Sequence, residues 1–229
     1  NRLFDGTLAV QDGDSPERCR SRLLIQYSRD FFGLEAHQKI HYDLHTAIRG
    51  SIYRQFALSP NPVDRSEIGY HCSLLEQWGI EAILTTTQSS ATFSAFTAHS
   101  LDATSFTLEL GSAKPFGSND MTEFALVIAG LRAAISGDES LTIERKTAKR
   151  FYVAAEIVKQ TDAFRLLFPP DTVNFTPFNV GDVLATDKEF QYIVTKSGER
   201  ILFPNENVAN GQRALVIVHA DGNDTENSL

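Results

Sequence analysis

The sequence predicts an α/β domain followed by a small all-β domain. Up to about residue 140, helical and strand patterns alternate. After Gly137 the apolar runs have strand periodicity only, with turn signals between them. The 229 residues are ample for one large domain with a small partner, and the change of pattern divides them into domains 1–140 and 141–229.

In chain order, Ser15 can cap a helix with Pro16 in its first turn and Glu17 complementing its dipole, and the helix runs to about Phe32 with Leu23, Leu24 and Tyr27 inward. Residues 39–44 and 54–58 read as strands, and Pro60 and Pro62 break the second. Residues 66–78 read as a helix stopped by Gly79, and residues 80–85 as a short buried strand. Residues 87–100 are Ser/Thr-rich, with Phe93 and Phe96, and read as loop plus a helical turn. Residues 105–110 form a strand with Phe106, Leu108 and Leu110 on one face and Thr107 and Glu109 on the other. Asn119 or Asp120 caps a helix through Ile135, ended by Gly137. Strands follow at 151–159, 163–167, 183–186, 190–195, 200–203 and 214–219.

The formal charge of −8 and pI near 5.2 argue against non-specific nucleic-acid binding, which needs a basic face. Cys19 and Cys72 are too few for a disulfide framework or a thiolate zinc cluster, which fits a reducing cytoplasm. The longest apolar run, 124–135, is short and carries Arg132, so a buried helix is expected and not a membrane span. No signal peptide is visible. The chain opens on Asn1 without methionine and reads as a piece whose beginning has been removed.

Chemistry concentrates in residues 39–46. Strand alternation puts Ile40, Tyr42 and Leu44 on one face and His41, Asp43 and His45 on the other. Imidazole is a common zinc ligand, and a metal-bound His gives its second ring N–H to a carboxylate or carbonyl. A lone His-x-Asp-x-His does not fix a metal site; from spacing alone, a satisfied core His with a strand-end cap is the favoured reading. His45 and Glu109 both fall at carboxyl ends of strands, where open α/β sheets bind ligands. Glu109 is placed to act as a base, or else is a strand-end carboxylate facing solvent or an Arg. No His-x-x-Glu occurs, and no spacing ties His41, His71 or His99 to His45. Asn1, Arg2 and Arg49 read as ordinary surface residues, although an Arg beside a metal site would suit a carboxylate-bearing substrate through bidentate hydrogen bonds.

Four pieces are similar to a known family: Asn1-Arg2-Leu3-Phe4; Asp43-Leu44-His45-Thr46-Ala47-Ile48-Arg49; Thr107-Leu108-Glu109-Leu110-Gly111 with Pro115-Phe116-Gly117-Ser118-Asn119-Asp120; and Phe203-Pro204-Asn205. They resemble the succinylglutamate desuccinylases, in the desuccinylase/aspartoacylase branch of the zinc carboxypeptidase-like hydrolases, in order from residue 1 to about residue 219. The resemblance implies a zinc-carboxypeptidase-like mixed sheet with flanking helices. It implies one Zn2+ per chain held by His45 and by a His-x-x-Glu pair expected upstream of Asn1. It makes Asp43 the carboxylate behind the ligand, Glu109 the residue that activates water, and Asn1, Arg2 and Arg49 the grips on substrate carboxylates. Lys114 departs from the Arg expected there, and the family's carbonyl-polarising Arg is expected upstream.

The implied activity is zinc-dependent hydrolysis of N-succinyl-L-glutamate to succinate and L-glutamate, in the succinyltransferase route of arginine catabolism, in the cytoplasm. A small-molecule N-acyl amino acid is the expected partner, with no nucleic acid or membrane. Another N-acyl amino acid deacylase of aspartoacylase type, or a metal-free binding or assembly module, are the alternatives. The β domain is expected to close over the site, with Tyr192 one candidate to reach the substrate.

Overall fold

A computed structural model describes residues 2–9, 13–33, 38–60, 66–86, 91–138 and 147–221. Asn1 lies outside them.

Helix α1 (Pro16–Phe32) begins as its sequence requires: the Ser15 hydroxyl accepts the Arg18 backbone N–H at 3.2 Å, and Pro16 occupies the first turn. Its buried face differs from the expected one. Ile25 and Phe32 are buried with Ser21 and Arg22, and Leu24 is half-buried, but Leu23 and Tyr27 are 51% and 65% exposed. An ion pair between Arg22 and Asp14, at 2.5 Å, lets the helix turn a polar residue inward, and Ile25 packs there with Phe4 and Phe96.

The chain then runs β1 (Ile40–Ala47), β2 (Gln55–Ser59), α2 (Ser66–Gln77), β3 (Ala82–Thr85), α3 (Phe93–Leu101) and β4 (Thr104–Ser112). Most of the segment read as loop is therefore helix α3, started by the Thr92 hydroxyl capping Ala95 N–H at 3.3 Å; residues 87–90 lie outside the described set. Asp120 caps a 3₁₀ turn (Met121–Phe124) that leads into α4 (Ala125–Ser136), and Gly137 closes it at φ 68°. After these come β5 (Lys149–Val158), β6 (Arg165–Leu166), β7 (Val183–Asp187), β8 (Phe190–Ile193), β9 (Arg200–Leu202) and β10 (Arg213–Ala220).

Seven strands form one mixed sheet in the order β1-β4-β2-β3-β5-β10-β9, and β6-β7-β8 form a second, antiparallel sheet. The change of pattern near residue 140 does not interrupt the large sheet, because β5 pairs in parallel with β3. Alternation along β10 explains how. Val216 and Val218 face the main-sheet cluster of Phe56, Leu84, Phe151 and Phe175, while Leu215 and Ile217 face the cluster of Phe164, Leu184 and Ile201. Each strand face thus closes a different core.

On one face of the large sheet, α2 and α4 cover Ala57, Ile83, Phe106 and Leu108. The opposite face carries His41, Asp43 and His45 on β1 in register with Ser105, Thr107 and Glu109 on β4. Among the described residues no helix is long and apolar enough to cross a membrane.

Candidate active site

Parallel pairing sets His45 directly beside Glu109, with Asp43 beside Thr107 one step back. The next pairing after His45↔Glu109 is Ala47↔Ser112, so β4 holds one extra residue there. Gly111 supplies it at φ 95°, a conformation costly for other residues. The Gly of Glu-Leu-Gly therefore bends the strand just past the carboxylate.

His45 Nε2 lies 3.1 Å from Asp43 Oδ2. A carboxylate only accepts, so Nε2–H donates and Nδ1 carries the ring's lone pair. That hydrogen bond raises the pKa of His45; burial opposes the rise and Glu109 adds to it. Glu109 is only 7% exposed, and among the described residues its Oε2 has no hydrogen-bond partner. Phe56, its neighbour across β2, is wholly buried. Burial accordingly raises the pKa of Glu109, His45 opposes the rise, and Asp43 reinforces it.

His45 and Glu109 floor a cleft of about 520 Å³. Thr92 and Ser94 of the α3 start line one side, and Asn174, Phe203 and Asn205 line the other. Arg2 and Arg49 both reach the cleft. Arg49 Nη1 donates to the carbonyls of Pro170 and of Thr172, the latter at 3.0 Å, so the segment after His45 is clasped to the chain ahead of β7. Arg2 donates to Gln212 Oε1 at 3.1 Å and to the Arg213 carbonyl at 3.4 Å.

The three histidines weighed beside His45 are committed elsewhere: His41 to the Thr97 hydroxyl at 2.7 Å, His71 to the Tyr42 hydroxyl at 2.8 Å and His99 to the Pro60 carbonyl at 3.0 Å. Tyr192 does not line the cleft; its hydroxyl donates to Glu199 Oε2 at 2.8 Å in the outer sheet region. Lys114 is exposed and also absent from the lining. Asn174 was not singled out by its sequence. Wholly buried, its Oδ1 accepts the Phe203 N–H at 2.8 Å and holds Phe203 at φ 51°, turning Phe203-Pro204-Asn205 into the cleft. Only the Asn-Phe-x-Pro turn spelling around it offers a local hint.

The donor set suits one corner of a zinc site: an imidazole oriented by a carboxylate, with a second carboxylate oxygen left unpartnered beside it. Among the described residues no group of three or more His, Cys, Asp or Glu side chains could hold a metal ion, so a complete ligand set is not present there.

Comparison with known proteins identifies the family. Residues 1–135 match the succinylglutamate desuccinylase/aspartoacylase catalytic domain, and residues 146–221 match the barrel-sandwich hybrid domain of the same family. A succinylglutamate desuccinylase from Pseudomonas fluorescens SBW25 is 40% identical over 219 residues, 95% of this chain and 65% of the relative. The chain thus spans about 65% of the length of that curated relative. The crystal structure of a succinylglutamate desuccinylase from Vibrio cholerae superposes with a TM-score of 0.86 at 34% identity, covering 96% of this chain and 64% of that one. Murine aminoacylase 3, at 16% identity and a TM-score of 0.61, shares the fold. The chain belongs to the succinylglutamate desuccinylase/aspartoacylase family.

Proposed function

We propose that the full-length protein is a zinc-dependent amidohydrolase that cleaves N-succinyl-L-glutamate to succinate and L-glutamate, as the last step of arginine catabolism by the succinyltransferase route. The observation that carries this reading is the buried oxygen of Glu109, unpartnered among the described residues, beside His45 at the floor of the cleft. Residues 1–140 serve as the catalytic part and residues 141–229 as the β domain that narrows access to it.

His45 would hold the zinc, with Nδ1 the ring nitrogen left to it because Asp43 engages Nε2 and fixes the ring. The ligands that would complete the set are not among the described residues. When bound, zinc polarises the scissile carbonyl and acidifies the attacking water. Glu109 takes the proton from that water and delivers it to the leaving amine nitrogen. Its position in register with His45, with one oxygen unpartnered among the described residues, suits this double duty. Asn1, Arg2 and Arg49 grip substrate carboxylates. The precedent for the substrate lies in relatives named succinylglutamate desuccinylase at about 40% identity.

The test is glutamate release from succinylglutamate against aspartate release from acetylaspartate, with zinc content measured on the same full-length sample. Release from succinylglutamate with about one zinc per chain supports the proposal. Preference for acetylaspartate would keep the hydrolase and replace the substrate, and absence of both zinc and turnover would refute it.

A further inference from the structure

Arg2, Arg49 and Arg213 bring three guanidinium groups to the cleft of an otherwise acidic chain. Their partners differ in charge. Arg49 donates to main-chain carbonyls, and Arg2 to the Gln212 amide oxygen and the Arg213 carbonyl, all neutral acceptors. Arg213, at the start of β10, pairs through Nη1 with Glu156 Oε1 of β5 at 2.6 Å. Both partners of that pair are 24% exposed at the side chain and line the cleft. This wall therefore sets two guanidinium groups against one carboxylate.

The imbalance is felt: desolvation in the wall and then repulsion from Arg213 lower the pKa of Arg2, and Glu156 only partly offsets them. Arg213 and Glu156 are half-buried and Arg2 is exposed, and a wall with surplus positive charge is stabilised by an incoming anion. A guanidinium has five N–H donors in a planar fork, so one group can keep Glu156 and still take a second carboxylate.

We infer that Arg213 is a specificity-determining residue, its guanidinium receiving one carboxylate of the N-acyl amino acid substrate while Glu156 holds the side chain over the cleft. The inference rests on the amidohydrolase reading above and deepens it, because it adds a contact from the β domain to the grips on the catalytic side. Arg213 stands far from Glu109 in sequence, but β5 and β10 belong to the same sheet as β4, and that continuity brings it to the cleft wall.

The test uses the full-length zinc-loaded enzyme carrying Arg213→Met or Arg213→Lys. Four substrates are compared: N-succinylglutamate, and three analogues in which one carboxylate is replaced by methyl, namely N-butyrylglutamate, N-succinylnorvaline and N-succinyl-4-aminopentanoate. Arg213→Met is expected to lower kcat/KM for succinylglutamate about 30-fold, chiefly through KM, as loss of a charge-assisted contact should. Arg213→Lys should recover part of that loss, because it keeps the charge and not the fork. With one of the three analogues the penalty should vanish, and with the other two it should persist. An equal penalty on all four substrates, or none on any, would overturn the inference. If wild-type enzyme turns over none of the four, the amidohydrolase reading fails first and takes this inference with it. Should Arg213→Met not fold, the Lys variant makes the same comparison at smaller amplitude.

Discussion

Gly130, in the middle of α4, offers a perturbation whose sign can be worked out. A methyl group built there would stand 2.1 Å from Trp78 Nε1, 2.2 Å from Cδ1 and 2.3 Å from Cε2. Carbon contacts settle near about 3.5–4.0 Å, so the overlap exceeds an ångström over the indole's five-membered ring. Trp78 is 2% exposed and stacks edge-on against Tyr42 of β1, 5.1 Å between centroids, so it has little room to yield. Helix propensity favours Ala over Gly by about 1 kcal/mol, while overpacking a rigid core costs about 2–3 kcal/mol. Gly130→Ala should therefore destabilise the protein by about 1–2 kcal/mol, against the usual benefit of removing a helical glycine. Urea unfolding followed by far-UV circular dichroism and Trp fluorescence measures it, with a lower midpoint at unchanged slope expected. Pairing the change with Trp78→Leu should recover about 1 kcal/mol relative to the sum of the single variants. A neutral or stabilised Gly130→Ala, or strict additivity with Trp78→Leu, would refute the packing argument.

Arg49→Met should release the clasp between the segment after His45 and residues 170–174. Amide exchange there should quicken about tenfold, by loss of the charge-assisted bonds to the Pro170 and Thr172 carbonyls, and unchanged exchange with a raised KM would assign Arg49 to substrate alone. Asp187 gives a pH dependence. The Thr161 hydroxyl, and after it the backbone N–H groups of Gln160 and Thr161, hold its carboxyl below the ordinary range against the effect of burial. A depressed folded pKa contributes stability that is fully present above the unfolded value of about 3.9 and is lost as pH falls through the folded value. The stability gap between wild type and Asp187→Asn should accordingly be widest near neutrality and shrink on acidification through that window. Chemical denaturation at several pH values reads it, and a pH-independent gap would contradict the assignment.

Much of the site was legible because period two is a strong local rule. His41, Asp43 and His45 share a face as their spacing requires, and Glu109 follows from the same alternation on its own strand. Sequence could not say that these two strands are neighbours in register, since pairing is a non-local choice. The inward face of α1 misread for a related reason: hydrophobicity alone favoured Leu23 and Tyr27, while the Arg22–Asp14 pair let a charged residue take the buried side. Helix α3 was hidden by Ser and Thr, which read as loop, yet Ser94 and Thr97 bond Thr107 and Ser105 beneath it at 2.7 and 2.9 Å. Tyr192 was a reasonable candidate by type and lies away from the cleft, whereas Asn174 and Arg213 reach it through tertiary packing that no local pattern announces.

The most direct test of the whole account is glutamate release from succinylglutamate by full-length Glu109→Gln, with bound zinc measured on the same sample. Gln is nearly isosteric and cannot take up the proton, and His45 is untouched, so zinc should stay near one per chain while kcat falls by about a thousandfold. Turnover near wild type with zinc in place would remove Glu109 as the base and return its buried oxygen to a structural role.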